Sequence, residues 1–167
     1  YLGLAKEFII HQEIANSCKT SDIRLGATGS RLISGDSFIY QSVEEYLRKF
    51  HKGESALIFN SGYDANIGFF STIPQRGDII LYDELCHTSI REGIRLSLAK
   101  GHSFLHNDLN ALSSKLNQCS GNLFIAVESV YSMDGDIAPL KELAGLAEEF
   151  EAHLVVDEAH STGIYGN

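Results

Sequence analysis

Hydrophobic positions along this chain recur in two rhythms, one helical and one of short continuous runs. Phe8, Ile9, Ile14 and Ala15 return at roughly helical spacing and predict a helix over residues 5–17. Val43, Leu47 and Phe50, with charged residues between them, predict an amphipathic helix over 39–50. Short apolar runs then predict strands at 56–59, 78–82, 103–105, 123–127 and 154–156. Between them, helices are expected through about residue 72, over 89–99, over 109–116 with Asp108 as its cap, and over 139–150. The last places Pro139 in its first turn and Leu140, Leu143, Ala144, Ala147 and Phe150 on one face. Strands alternating with helices argue an α/β fold with a mainly parallel sheet covered on both faces.

The stretches between elements change the picture. Gly26, Gly29 and Gly35 make 25–35 a glycine-rich loop, but no Gly-Lys-Ser/Thr follows, so it is no P-loop. Polar clusters follow four of the five runs: Asn60-Ser61-Gly62, Asp83 to His87, Glu128 to Ser132, and Asp157 to His160. In a parallel sheet those ends share one edge, the edge where open α/β folds bind ligands. The chain has 167 residues, 44% hydrophobic and 21% charged, which is enough for one sizeable core and reads as one domain. Thirteen Lys and Arg against twenty-two Asp and Glu leave a formal charge of -9, which disfavours a phosphate-backbone partner. There is no apolar run long enough for a membrane span and no basic leader region, so neither membrane nor export is expected. Cys18, Cys86 and Cys119 are widely spaced without a C-x-x-C, so no disulfide framework and no metal site is expected and a reducing cytoplasm is the default.

Each cluster has a bland reading beside a chemical one. Ser61-Gly62 opens a helix whose first amides suit a phosphate, while Ser61 as a plain N-cap is an even alternative. His87 would stack on a flat ring, or be a surface histidine. Glu128 is a ligand group or a carboxylate paired with a backbone amide. Ser132 donates to a ligand or holds its turn. Asp157 would pair with a cationic ring nitrogen in a dry pocket, and His160 donate to a phenolic oxygen, or both would be capping and solvated groups. A phosphate, an aromatic ring, a ring nitrogen and a phenolic oxygen are together the groups of pyridoxal 5'-phosphate (PLP).

The residues quoted so far, with Gly29-Ser30-Arg31-Leu32-Ile33-Ser34-Gly35, Phe59 to Asn66, His87-Thr88-Ser89-Ile90, His106-Asn107-Asp108, Ser132-Met133-Asp134-Gly135-Asp136 and Val156 to His160, resemble the α-oxoamine synthase family of fold-type I PLP enzymes. The match runs in order along the whole chain. The resemblance implies the large PLP-binding domain of that fold, and a homodimer. It implies that Ser61, Gly62 and Tyr63 lie near the phosphate, that His87 stacks on the ring, and that Ser132 and His160 bond its phenolic oxygen. Asp157 then pairs with the ring nitrogen and Glu128 faces the substrate. The reaction implied is decarboxylative condensation of an amino acid with an acyl-CoA or other acyl thioester. Ser132 to Leu140 resembles most the branch that joins alanine to a pimeloyl thioester, while branches using other acyl chains remain open.

Two departures accompany the resemblance. Tyr40 stands where the family usually carries histidine. The family's Schiff-base lysine matches none of Lys6, Lys19, Lys49, Lys52, Lys100, Lys115 and Lys141, so it is expected beyond residue 167, as is the small C-terminal domain. Residues 1–167 would then be part of a large domain, inactive alone. A non-catalytic partner subunit lacking the lysine is the rival from another class. A DEAH-box helicase, suggested by Asp157-Glu158-Ala159-His160, fails on the missing Walker lysine and the acidic charge.

Overall fold

The computed structural model describes residues 3–20, 26–27 and 29–165. Leu25 and Thr28, which belong to the glycine-rich stretch 25–35, lie outside the described residues. The chain divides into two compact units, Tyr1–Ile58 and Phe59–Asn167.

In the first unit a short 3-10 turn, Leu4–Lys6, leads into α1, Phe8–Thr20, three residues later than its apolar spacing suggests. Part of the expected glycine-rich loop is instead helical. Arg31–Gly35 forms a wide π-type turn, in which the Ser30 carbonyl accepts from the amides of Ile33, Ser34 and Gly35. Helix α2 follows at Phe38–Phe50. Arg31 joins turn to helix: its guanidinium grips both oxygens of Glu44 at 2.6 and 3.0 Å, bonds Asp36 at 3.2 Å, and lies 4.3 Å from the Tyr40 ring centroid. Its hydrogen bonds hold the Glu44 carboxyl down at about 2. The aromatic face of Tyr40 thus carries a cation–π contact.

The strand expected at 56–59 is absent. No strand among the described residues pairs with it, Leu57 is 65% exposed, and the Ile58 amide goes to Glu44 Oε1 at 2.9 Å rather than to a ladder. An apolar run predicts burial, but a strand also needs a partner for its backbone groups.

The second unit holds α3 (Gly62–Thr72), β1 (Ile79–Asp83), α4 (Thr88–Leu96), β2 (Lys100–Phe104), α5 (Leu109–Leu116), β3 (Leu123–Glu128), α6 (Leu140–Glu149) and β4 (His153–Asp157). Asp108 caps α5 as expected, its side chain accepting from the Ala111 amide at 2.9 Å. Helix α4 ends earlier than the expected residue 99, at Leu96, where Ser97 turns extended and its hydroxyl takes the Ala99 amide. That early stop lets β2 begin at Lys100, ahead of the expected 103–105, and leaves Leu105 outside it.

All pairings are parallel, in the order β2-β1-β3-β4. Strand β3 is buried throughout, and its alternation feeds two cores. Leu123, Ile125 and Val127 join Leu81, Leu112, Leu116 and Leu143 beneath α5 and α6. Phe124 and Ala126 join Ile80, Phe70, Ile90 and Ile94 beneath α3 and α4. Helices cover both faces, which is the expected α/β architecture. Because the strands are parallel, Asp83, Glu128 and Asp157, the last residues of β1, β3 and β4, end at one edge, with Glu128 and Asp157 in direct register.

Candidate active site

Two helices bring their N-termini to that edge. Ser61 caps α3: its hydroxyl accepts the Asp64 amide at 3.0 Å and donates to Asp64 Oδ2 at 3.0 Å. The bland reading of Ser61 as an N-cap is therefore what its side chain does. The amides of Gly62 and Tyr63 are left in the first turn, where intrahelical acceptors do not reach. A Cβ built on Gly62 meets nothing within 4 Å, so this first turn is uncrowded on the side of the Gly62 Cα. His87 caps α4 in an unusual way, through its ring, with Nδ1 accepting the Ser89 amide at 3.2 Å. Its ring meets Tyr63 edge-on, with centroids 6.1 Å apart.

A chain of hydrogen bonds joins His87 to Asp157. Asn66 lies four residues after Gly62 on α3, and so one turn below it on the same face. Its Nδ2 donates to Asp157 Oδ2 at 2.8 Å and to Ser89 Oγ at 3.0 Å. The opposite amide orientation would set a carbonyl oxygen against a carboxylate, which fixes the assignment. Ser89 Oγ is in turn 2.8 Å from His87 Nδ1. With Nδ1 accepting a backbone N–H, the hydroxyl donates to it as well, and the proton of the neutral ring sits on Nε2.

Asp157 receives the Ala159 amide on Oδ1 at 2.9 Å and Asn66 on Oδ2. A carboxylate has about four acceptor positions, so two remain for a ligand donor. Ser129 steadies this loop from the end of β3, with its amide and hydroxyl both on the Asp157 carbonyl (2.9 and 3.1 Å) and its hydroxyl on Ser161 at 2.7 Å.

Glu128 is only 4% exposed and accepts the His87 amide on Oε1 at 2.5 Å. Burial raises its pKa above the ordinary carboxylate value; the His87 amide opposes the shift and the nearby negative charge of Asp157 adds to it. Beside this network, burial pushes the Cys86 thiol well up, and Asp83 and Glu128 add to the shift, which favours the protonated form.

The structure thus gathers Ser61, Gly62, Tyr63, His87, Glu128 and Asp157 around one strand edge. His160 lies in the turn after β4, close enough for its charge to act on Glu128. Ser132 sits apart from this bonded network, exposed on the turn after β3. Asn66 and Ser89 were missed by sequence reasoning, although both lie in quoted motifs. The usable signal was the four-residue step from Gly62 to Asn66. The chemistry of the set suits PLP: first-turn helix amides for a phosphate, an imidazole capable of stacking, and a carboxylate with acceptor capacity for a protonated ring nitrogen. Among the described residues no group of three or more potential ligands could hold a metal ion.

Comparison with known proteins agrees with this chemistry. Residues 3–167 match the family described as aminotransferase class I and II. The chain is 43% identical over 170 residues to a putative 8-amino-7-oxononanoate synthase of Bacillus licheniformis, covering 99% of this chain and 44% of the relative. It is 46% identical over 153 residues to 8-amino-7-oxononanoate synthase of Emericella nidulans, covering 83% of this chain and 37% of the relative. The serine palmitoyltransferase of S. paucimobilis, solved with a bound PLP–myriocin aldimine, superposes with a TM-score of 0.88 at 35% identity, over 95% of this chain and 42% of that one. The chain spans less than half the length of these relatives.

Proposed function

Since the chain belongs to the class I and II aminotransferase family, in its α-oxoamine synthase group, we propose that its protein binds PLP and condenses L-alanine with a pimeloyl thioester, the 8-amino-7-oxononanoate synthase reaction of biotin biosynthesis. In that reaction the amino acid's Cα is acylated, its carboxylate leaves as carbon dioxide, and the thiol is released. The observation that carries the reading is Asp157: a strand-end carboxylate aimed by Asn66, joined through Ser89 to the His87 ring, beside the N-terminus of α3. PLP, when bound, supplies an electron-withdrawing ring conjugated to the substrate amine.

The chain's residues divide the remaining tasks. Gly62 and Tyr63 offer backbone amides and the helix dipole to the phosphate, with Ser61 holding that first turn. His87 covers one face of the ring. Asp157 keeps the ring nitrogen protonated, because a carboxylate at hydrogen-bond distance favours the cationic form. Ser132 and His160 donate to the phenolic oxygen. Glu128, carrying a raised pKa behind His87, faces the substrate side. The Schiff-base lysine is not among residues 1–167. A homodimer in the cytoplasm completes the proposal. The likeness to serine palmitoyltransferase supports a second reading, serine with a long acyl thioester, and a 2-amino-3-ketobutyrate ligase-type reaction is a third.

The test uses the whole protein loaded with PLP, and compares alanine with pimeloyl-CoA against serine with palmitoyl-CoA and glycine with acetyl-CoA. The alanine and pimeloyl pair is expected to give the highest kcat/KM, with Asp157→Ala lowering it on the order of 100-fold or more. Highest activity with another pair overturns the substrate assignment. Near wild-type turnover in Asp157→Ala overturns the role of Asp157. No turnover with any pair favours a non-catalytic subunit.

A further inference from the structure

His106-Asn107-Asp108 resembles the family pattern, and neither His106 nor Asn107 belongs to the proposed cofactor site. They lie in the link between β2 and α5, in the second unit. The His106 ring stands between two carboxylates. Nδ1 is 2.9 Å from Asp83 Oδ1, at the end of β1, and Nε2 is 2.6 Å from Asp136 Oδ2, in the turn after β3.

Both carboxylates are engaged as acceptors. Asp83, 0% exposed, also receives the Leu85 amide on Oδ1 and the Asn107 amide on Oδ2, each at 2.9 Å. Asp136 Oδ2 also receives Asn107 Nδ2 at 2.8 Å. A neutral imidazole has one N–H, so one ring nitrogen would turn its lone pair on a carboxylate. Asn107 Nδ2 is also 3.2 Å from Nε2, but the 2.6 Å approach of Asp136 calls for the proton on the ring. The imidazolium is the form that satisfies both neighbours.

The same ring touches the other end of that turn. Tyr131 meets His106 edge-on, with centroids 4.5 Å apart. The turn closes on itself through Tyr131 N to Asp136 O (3.0 Å) and Gly135 N to Tyr131 O (2.8 Å), with Gly135 in the left-handed region at φ 75°. Asp136 Oδ1 is buried with no hydrogen-bond partner among the described residues, so the side-chain hydrogen bonds of Asp136 run through Oδ2 alone, while Tyr131 is buried in the core at the other end of the turn. Ser132 is carried on this turn, between the two gripped residues.

We propose that His106 is a positioning residue whose imidazolium clamps the Tyr131–Asp136 turn to the end of β1, and so holds Ser132 in place. Its consequence for the cofactor rests on the Ser132 reading above; the clamp itself does not. The titratable groups facing the ring are Asp83, Asp136 and Tyr131, with Glu84 accepting the His106 amide at 3.2 Å. Burial pulls the His106 pKa down, but the hydrogen bonds and charges of Asp83 and Asp136 outweigh it, and the net shift is upward. A histidine with a raised folded pKa contributes stability that is full below its unfolded value and is lost as pH rises through the folded value. The clamp therefore loosens on the alkaline side.

The experiment is amide hydrogen exchange on the whole protein, following protection factors of Tyr131 and Gly135 across pH, with β3 amides as the internal reference. His106→Gln and Asp136→Asn are each expected to lower protection in the turn about tenfold, equivalent to about 1.4 kcal/mol, while Ile125 and Val127 keep theirs. Wild type is expected to show the same selective loss as pH rises past the raised pKa of His106. Turn protection unchanged in both variants, or falling uniformly with that of β3, overturns the clamp. PLP affinity of the same variants separates the two readings. Weaker binding together with a loosened turn supports both. A loosened turn with unchanged PLP affinity leaves the clamp standing and removes Ser132 from the cofactor site.

Discussion

Replacing Asn66 probes the bond chain that aims the site. Asn66→Ala removes the bond to Asp157, which ends on a charged acceptor, and the bond to the neutral Ser89 hydroxyl. A hydrogen bond to a charged group contributes ~1.5–3 kcal/mol and a neutral one ~1 kcal/mol. Against this, alanine is the better helix former by roughly 0.5 kcal/mol within α3. The net loss expected is about 2–3.5 kcal/mol. Asn66→Asp tests the electrostatics, because it sets a second carboxylate against Asp157. At about 4 Å and an effective dielectric near 20, that repulsion is ~4 kcal/mol. The aspartate variant should therefore be the less stable at pH 7, and its excess cost should shrink in acid as the pair takes up a proton. Urea unfolding at pH 7 and pH 4.5 measures both. In parallel, 15N spectra of His87 should show that the Nδ1 shift depends on Asn66, because Ser89 loses the donor that orients its hydroxyl. Two equally stable variants at pH 7, or a His87 spectrum indifferent to both, would refute the chain of bonds.

Two further outcomes follow from packing and burial. A Cβ at Gly93 would lie 2.9 Å from both the Asn66 carbonyl and Phe70 Cβ, and 3.2 Å from Ile67 Cα. Helices α3 and α4 meet there, so Gly93→Ala should cost about 1–3 kcal/mol by overpacking, and an unchanged urea midpoint would contradict that contact. Glu128→Gln keeps an oxygen for the His87 amide but removes a desolvated charge. The wild-type carboxyl holds its proton more tightly folded than unfolded, so wild type loses stability as pH rises from the ordinary carboxylate value to the raised one. The variant should be about 1 kcal/mol the more stable at pH 7, with the gap closing in acid, and a gap independent of pH would argue against the raised pKa.

Much of this was legible in the residues. The run Leu123 to Val127 announces a strand buried on both faces, and β3 is that strand. Asp108 and the spacing after it fix α5 to the residue. The convergence of Asp83, Glu128 and Asp157 follows from parallel pairing alone, and the structure places all three at one edge. Strand β2 was misplaced because Lys100-Gly101-His102-Ser103 carries no apolar signal; an edge strand is held by its ladder to β1, not by burial. The run 56–59 misled in the opposite sense, being apolar without a partner strand among the described residues.

What the sequence determines by itself is the order of elements and the residue types delivered to the strand ends, since periodicity and capping are local properties of neighbouring side chains. The tertiary structure decides which of those residues touch. Asn66 and Asp157 are 91 positions apart, and His106 and Asp136 are 30 apart. No local pattern encodes those bonds, because they exist only once parallel strands bring their ends, with the helices and turns attached to them, to one edge.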